Sequence, residues 1–197
     1  MSLQYIIKDQ NGASRDFESL YEEWFPDIFN YHLHCVGSVA DAEDLTAHTF
    51  LKAMKNLWKY RWSRGSFSSW LYRIAHNEMK SFFRKKQRLR LFNSTPILQV
   101  APFKDEIEEA ERVRTRDRFY VSLQKSLAEL SPEDNSLLVL RFFQAKSYEE
   151  LASIFKIRKG TLAMRIHRAL KRLRKIMDKE GLCNEEFRKC FENLSEA

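Results

Sequence analysis

Glycine and proline are scarce in this chain, five and four residues in 197. With so few of either, and with abundant Leu, Phe, Lys and Glu, helix is favoured almost throughout. The three cysteines, Cys35, Cys183 and Cys190, have no framework spacing. That excludes a disulfide scaffold and fits a reducing compartment. No run is long and uncharged enough to span a membrane. Met1 to Lys8 has no basic n-region leading into a sustained apolar core, so no secretory signal is expected. A Gly-rich phosphate loop, a nucleophile elbow and a metalloprotease motif are all missing. His32, His34 and Cys35 have no second ligand cluster, and a helical surface is their expected setting. His48, His76 and His167 are scattered. No enzyme, metal site or cofactor is expected, and no small-molecule substrate.

Charge is present but unevenly placed. Asp16 to Asp44 contains Asp16, Glu18, Glu22, Glu23, Asp27, Asp41, Glu43 and Asp44 and no Lys or Arg. Arg73 to Arg90 reverses the sign, with Glu78 its one acid. Lys156 to Lys179 carries ten basic residues against Asp178. One acidic segment and two separated basic clusters point to two contacts with a polyanion and another surface for a different partner.

The periodicities divide the chain. Asp16 to Leu33 reads as a heavily buried helix in which Pro26 can kink or divide the run. Ser38 caps a second helix reaching about Lys55, with Leu45 and Phe50 among its apolar positions. Trp58 to Ser66 is an aromatic and Arg-rich loop, and Phe67 to about Arg88 is a third helix. Periodicity is lost from Leu91, where Asn93-Ser-Thr-Pro96 and Pro102 interrupt it. Helix resumes near Val113 and ends at Glu129. Ser131-Pro-Glu-Asp134 then starts another, with Ser as cap, Pro at the first position and acids near the positive dipole end.

Ser147 opens the most telling stretch. Ser147 and Glu150 form a capping box, Leu151, Ala152 and Phe155 make an apolar stripe, and Lys156 to Gly160 supplies a turn in which Ile157 tucks inward. The longer helix beyond it buries Leu162, Ile166, Ala169, Leu170 and Leu173 and turns Arg165, Arg168, Lys171, Arg172 and Lys175 elsewhere. One side packs and the other meets phosphates and base edges: a helix-turn-helix with a recognition helix. The fold expected is all-α, two small helical domains joined by a linker, the second a four-helix domain containing the helix-turn-helix.

These two blocks together resemble the extracytoplasmic-function sigma factors, the small two-domain members of the bacterial sigma family. Asp41-Ala-Glu-Asp-Leu45 followed by His48-Thr-Phe-Leu-Lys52 is similar to the segment that grips the polymerase. Ser69-Trp-Leu-Tyr-Arg-Ile-Ala-His-Asn77 is similar to the family's promoter-contacting helix. Leu130-Ser-Pro, Ser147-Tyr-Glu-Glu-Leu-Ala152 and Gly160-Thr-Leu-x-x-Arg-Ile-His-Arg-Ala169 match its second domain. The chain departs from the pattern at Arg158-Lys159 and at Ala163-Met164, which bear on base preference.

The resemblance implies a domain at 1–92 for core polymerase binding and the −10 element, a linker at 93–112, a −35-binding domain at 113–178 and a tail at 179–197. It implies core RNA polymerase as partner, held by Asp41, Glu43, Asp44, Leu45 and Phe50. Promoter DNA is the other, as duplex and as melted strand. The −10 candidates are Tyr60, Arg61, Trp62, Arg73, Asn77, Lys80 and Arg84, the loop forming a pocket wall and Asn77 reading a base edge. The −35 candidates are Arg158, Lys159, Thr161, Arg165 and Arg168. An anti-sigma factor is implied as regulator, with a cytoplasmic bacterial location that such a factor can tie to the membrane. The competing readings are a helix-turn-helix regulator acting without polymerase and a decoy for an anti-sigma protein. The acidic tail, with Leu182, Phe187 and Phe191, is expected to be a solubilising extension, with a fold-back onto the second domain as the alternative.

Overall fold

The computed structural model describes residues 6–8, 14–60, 66–92 and 112–179. Its elements run β1 (Ile6–Lys8), β2 (Ser14–Asp16), α1 (Phe17–Val36), α2 (Val39–Asn56), α3 (Phe67–Phe92), α4 (Arg112–Glu129), α5 (Pro132–Leu138), α6 (Tyr148–Phe155) and α7 (Lys159–Lys179). The all-helical expectation holds for both domains. The strands add a small antiparallel pair that pairs Ile6 with Asp16. Consecutive β-branched Ile6 and Ile7 and the intervening Asn11-Gly12 are hairpin signals that the helical composition obscured.

Helix α1 starts because Asp16, in extended conformation, accepts from the Ser19 amide at 3.0 Å. Those bonds from Ser19 hold the Asp16 carboxyl below its ordinary pKa. The helix runs through Pro26 unbroken. It ends at Gly37, whose φ of 68° lets its amide reach the Leu33 carbonyl at 2.8 Å. A side chain is disfavoured in that left-handed conformation, so glycine fits the helix end. Ser38 caps α2 through the Asp41 amide, as its position implied. This tight joint folds α2 back on α1, and α3 closes the first domain, burying Leu20, Ile28, Tyr31, Ala53, Leu71, Tyr72 and Met79.

In the second domain Ser131 caps α5 through the Asp134 amide at 3.2 Å, with Pro132 at the helix start. The helix widens into a π turn at Val139–Phe143, where the Gln144 amide reaches back to the Val139 carbonyl. The capping box is complete: Glu150 N–H donates to Ser147 Oγ at 3.2 Å, and Ser147 N–H to Glu150 Oε2 at 2.9 Å. Lys156 ends α6 in a left-handed conformation, φ 56°. Gly160, expected in the turn, is instead already inside α7, because Lys156 makes the reversal.

The two domains share one core. The α5–α6 face seats on α1 and α3, with Leu137, Leu140, Leu151 and Ile154 joining the cluster around Tyr31 and Tyr72. His32, facing Thr49 of α2, and Cys35, whose carbonyl accepts from Asn135 Nδ2 of α5, both lie in the interior where a helical surface was expected. Thr49 Oγ1 gives its single proton to the Leu45 carbonyl at 2.8 Å and therefore accepts from His32 Nε2 at 3.1 Å. Burial keeps that imidazole neutral, its pKa lowered to about 3. Burial likewise pushes the Cys35 thiol well up, so it is inert.

Candidate nucleic-acid interface

Arg73, Asn77, Lys80 and Arg84 recur at helical spacing along α3, so they share one face. Leu71, Ala75 and Met79 on the opposite side are fully buried and fix the rotation of that helix. Asn77 and Arg84 are exposed, while Arg73 and Lys80 are half-buried. Arg73 Nη2 donates to the Ser153 carbonyl at 2.7 Å, and its Nε is buried without a partner. Lys80 pairs with Glu133 at 2.8 Å.

Tyr60 is buried, its ring 5.5 Å from Phe67 and 5.1 Å from Trp70. Burial raises its phenol to about 12. It anchors the start of the loop that the sequence offers as a pocket wall. Arg61 and Trp62 lie outside the described residues.

Helices α6 and α7 form the helix-turn-helix. Leu151 and Ile154 on α6, and Leu162, Ile166, Ala169, Leu170 and Leu173 on α7, face the domain core. Arg158, Lys159, Thr161 and Arg168 are exposed. Nothing lies within 4 Å of the position a side chain at Gly160 would take, so the front of the helix start is open. Lys159 pairs with Glu149.

Asp134, almost wholly buried, makes two further ion pairs with α7: Arg172 Nη2 at 2.6 Å and Arg165 Nε at 3.6 Å. Beside these groups an open groove of about 1040 Å³ runs between α7 and the α4–α5 corner. Asp134 and Glu133 read in the sequence as dipole-compensating acids, and nothing in the sequence signalled their cationic partners. The capping position explains why they are carboxylates, and the packing explains where they point.

The acidic face of α2 splits in two. Glu43 and Asp44 are exposed, and Asp41 is half-buried, 3.9 Å from Lys86. Leu45 and Phe50, both 4% exposed, turn inward, and the Phe50 ring lies 4.7 Å from that of Tyr21. They hold α2 to its own domain and offer no free apolar surface. Val39 and Leu51 are the exposed apolar side chains of that helix. Among the described residues no group of His, Cys, Asp and Glu could hold a metal ion, and no helix is long and apolar enough to cross a membrane.

A three-helix domain with a polar and basic helical face, followed by a four-helix domain containing a helix-turn-helix whose second helix is basic, defines a two-domain helical protein. Residues 20–89 match the family described as Sigma-70 region 2, and residues 120–173 that described as Sigma-70, region 4. The RNA polymerase sigma factor YlaC of Bacillus subtilis is 30% identical over 82% of this chain and 92% of its own. The ECF RNA polymerase sigma factor SigE of Mycolicibacterium smegmatis is 28% identical over 86% of this chain. The chain spans 65% of the length of SigE. A solved structure of the sigma factor RpoE in complex with the anti-sigma factor NepR from Bartonella quintana shares the fold, with a TM-score of 0.66. Its identity is 23%, over 82% of this chain and 96% of that one. The chain belongs to the extracytoplasmic-function group of the RNA polymerase sigma factors.

Proposed function

We propose that this chain binds core RNA polymerase, directs it to promoters through −35 and −10 elements, and promotes strand separation at the latter. The observation that carries this reading is the presence, on one chain and in family order, of the α3 face and the α7 recognition helix. Residues 1–92 would serve polymerase and the −10 element, 113–178 the −35 element, with 93–112 between them.

Unstacking the duplex costs a few kcal/mol per step, on the order of what capture of a flipped base returns. Asn77, exposed and both donor and acceptor, reads a base edge. Arg73, Lys80 and Arg84 hold the strand, and Arg61 and Trp62 complete the pocket that Tyr60 supports from behind. On α7, Thr161 fixes register on phosphate and Arg165 reads base edges, where a bidentate contact gives about 1–3 kcal/mol of discrimination. Arg158, Lys159 and Arg168 complete the −35 contacts. Asp41, Glu43 and Asp44 give complementarity and encounter rate toward a basic surface of polymerase.

The role needs no catalytic group of this chain, and it is carried out in the cytoplasm where promoters lie. The named complexes of the solved relatives with NepR and with the cytosolic domain of CnrY support an anti-sigma factor as the regulator of this chain too.

Run-off transcription from a genomic fragment library, with core polymerase and with or without this protein, tests the proposal. New start sites preceded by shared −35 and −10 sequences are expected. No new transcripts, with tight polymerase-independent binding to particular duplexes, would replace it with a helix-turn-helix regulator.

A further inference from the structure

We propose that the acidic segment after Lys179, residues 180–197, docks in the groove beside α7 and shields the residues offered to the −35 element. The inference rests on the −35 reading of α7 and adds to it a competitor for DNA carried by the chain itself.

The groove joins an apolar stripe to a basic rim. Leu130, at the α4–α5 corner, lines it together with Met164 and Ile176 of α7. Met164 is 54% exposed, a large apolar side chain left in water on an otherwise charged side of the helix. Arg168 and Lys175 stand beside this stripe, both exposed and without an ion pair among the described residues. Asp134, the buried acid of the groove, is spent on Arg165 and Arg172. Thr161, Arg165 and Arg168 belong to the same lining, so an occupant sits where the −35 duplex would.

Position, charge and pattern select residues 180–197 as that occupant. Lys179, from which the segment leaves α7, itself lines the groove. The segment carries Glu180, Glu185, Glu186, Glu192 and Glu196 against Arg188 and Lys189, the sign opposite to that of the rim. Phe187 and Phe191 are four residues apart, the spacing that lets two rings share one side of a helical segment. Reach is sufficient. Met164 lies fifteen residues before Lys179 on α7, about 22 Å along the helix at about 1.5 Å per residue. Residues 180–190 span up to about 36 Å when extended, which brings Cys190 and Phe191 level with Met164.

Phe187 and Phe191 then cover the apolar stripe, while the glutamates meet Arg168 and Lys175 in place of phosphates. The tether makes this contact intramolecular, so the segment acts at an effective concentration near the millimolar range and a weak contact is enough. A segment seated nine-tenths of the time, roughly, weakens duplex binding about tenfold.

The test uses the full chain and two readouts. In the first, a chain carrying Cys183→Ser and Met164→Cys is oxidised and digested with trypsin. A disulfide within one chain, joining peptides 160–165 and 190–197, is expected to form about tenfold faster than one from Leu51→Cys, on α2, in the same Cys183→Ser background. Equal rates overturn the docking, and a disulfide between chains overturns it in favour of a second copy as the occupant. In the second, affinity for a mixed-sequence duplex of about 20 base pairs is measured without polymerase. A chain ending at Lys179 and the double variant Phe187→Ser/Phe191→Ser should each bind about tenfold tighter than wild type. The double variant keeps every charge. A gain from truncation alone is therefore long-range repulsion by a solvated tail, and it too overturns the docking. Promoter-specific run-off by wild type with no cross-link above the Leu51→Cys control sinks the docking and leaves the sigma reading. A cross-link without run-off does the reverse.

Discussion

Arg73 on α3 donates to the backbone carbonyl of Ser153 on α6, joining residues eighty positions apart across the two domains. That contact uses one terminal nitrogen of the guanidinium and leaves its Nε buried without a partner. The α3 residues proposed to meet DNA fall into two groups: Arg73 and Lys80, engaged inside the molecule, and Asn77 and Arg84, exposed. Substitutions in the two groups have different signatures.

Asn77→Ala removes an exposed amide, so unfolding should shift by no more than about 0.5 kcal/mol. Strand opening at the −10 element should fall at least ~10-fold, the value of one good base-edge contact. Thermal unfolding and permanganate mapping of the promoter read the two quantities separately. Equal opening by both proteins would remove Asn77 from the site.

Arg165→Ala should relax discrimination at one −35 position by about 1–3 kcal/mol while leaving melting intact. The domain should stay folded, because Arg172 continues to neutralise Asp134. Competition among single-base variants of the −35 element in run-off assays measures this. A uniform loss across all variants would make Arg165 a phosphate contact.

Ser147→Ala dismantles the capping box at the start of the helix-turn-helix. A lost N-cap costs about 1 kcal/mol, about 2–4 °C in the midpoint for a chain of this size. Lys156→Gly should act in the opposite direction. A left-handed side-chain conformation costs roughly 1–2 kcal/mol, part of which glycine gives back through the freedom of its unfolded chain. A net gain of up to about 1 kcal/mol is expected by calorimetry, and a loss would show that Lys156 makes compensating contacts.

His76 is buried between the domains, against Phe155 and Ser136. Desolvation, helped by Lys80 and Arg165 and opposed by Glu133, lowers its pKa from 6.5 to about 4. The unfolded chain takes up a proton below about 6.5, and the folded one only near 4. Stability is thus fully present above 6.5 and falls as pH drops through that window. The loss is on the order of 2 kcal/mol at pH 5 for such a group. His32, lowered to about 3, adds to the same slope. His76→Asn, which cannot ionise, should remove about half of the midpoint drop between pH 7.5 and pH 5. An unchanged drop would place the titration elsewhere.

Much of this architecture is local chemistry. Asp16, Ser38, Ser131 and Ser147 each sit one residue before a helix, and each makes its cap. Pro132 sits at a helix start, where its missing amide costs nothing. Those positions, with the apolar spacing of α3 and α7, make the helices and the helix-turn-helix readable in one dimension. Other positions depend on what lies opposite a side chain. Leu45 and Phe50 show the same spacing whether they meet another protein or α1, and the structure places them in the core. His32 and Cys35 read as surface residues because the sequence gives no sign that α2 packs on the one and α5 on the other.

The sequence by itself determined the helices, their caps, the separation of charge into two basic faces and the family, because each depends on residues a few positions apart or on a pattern repeated along one helix. Only the tertiary structure decided which of those charges are free. Glu133 lies on Lys80, Asp134 on Arg165 and Arg172, and Ser153 on Arg73. Partner choice across such distances follows from how two packed domains meet, and no local periodicity carries that information.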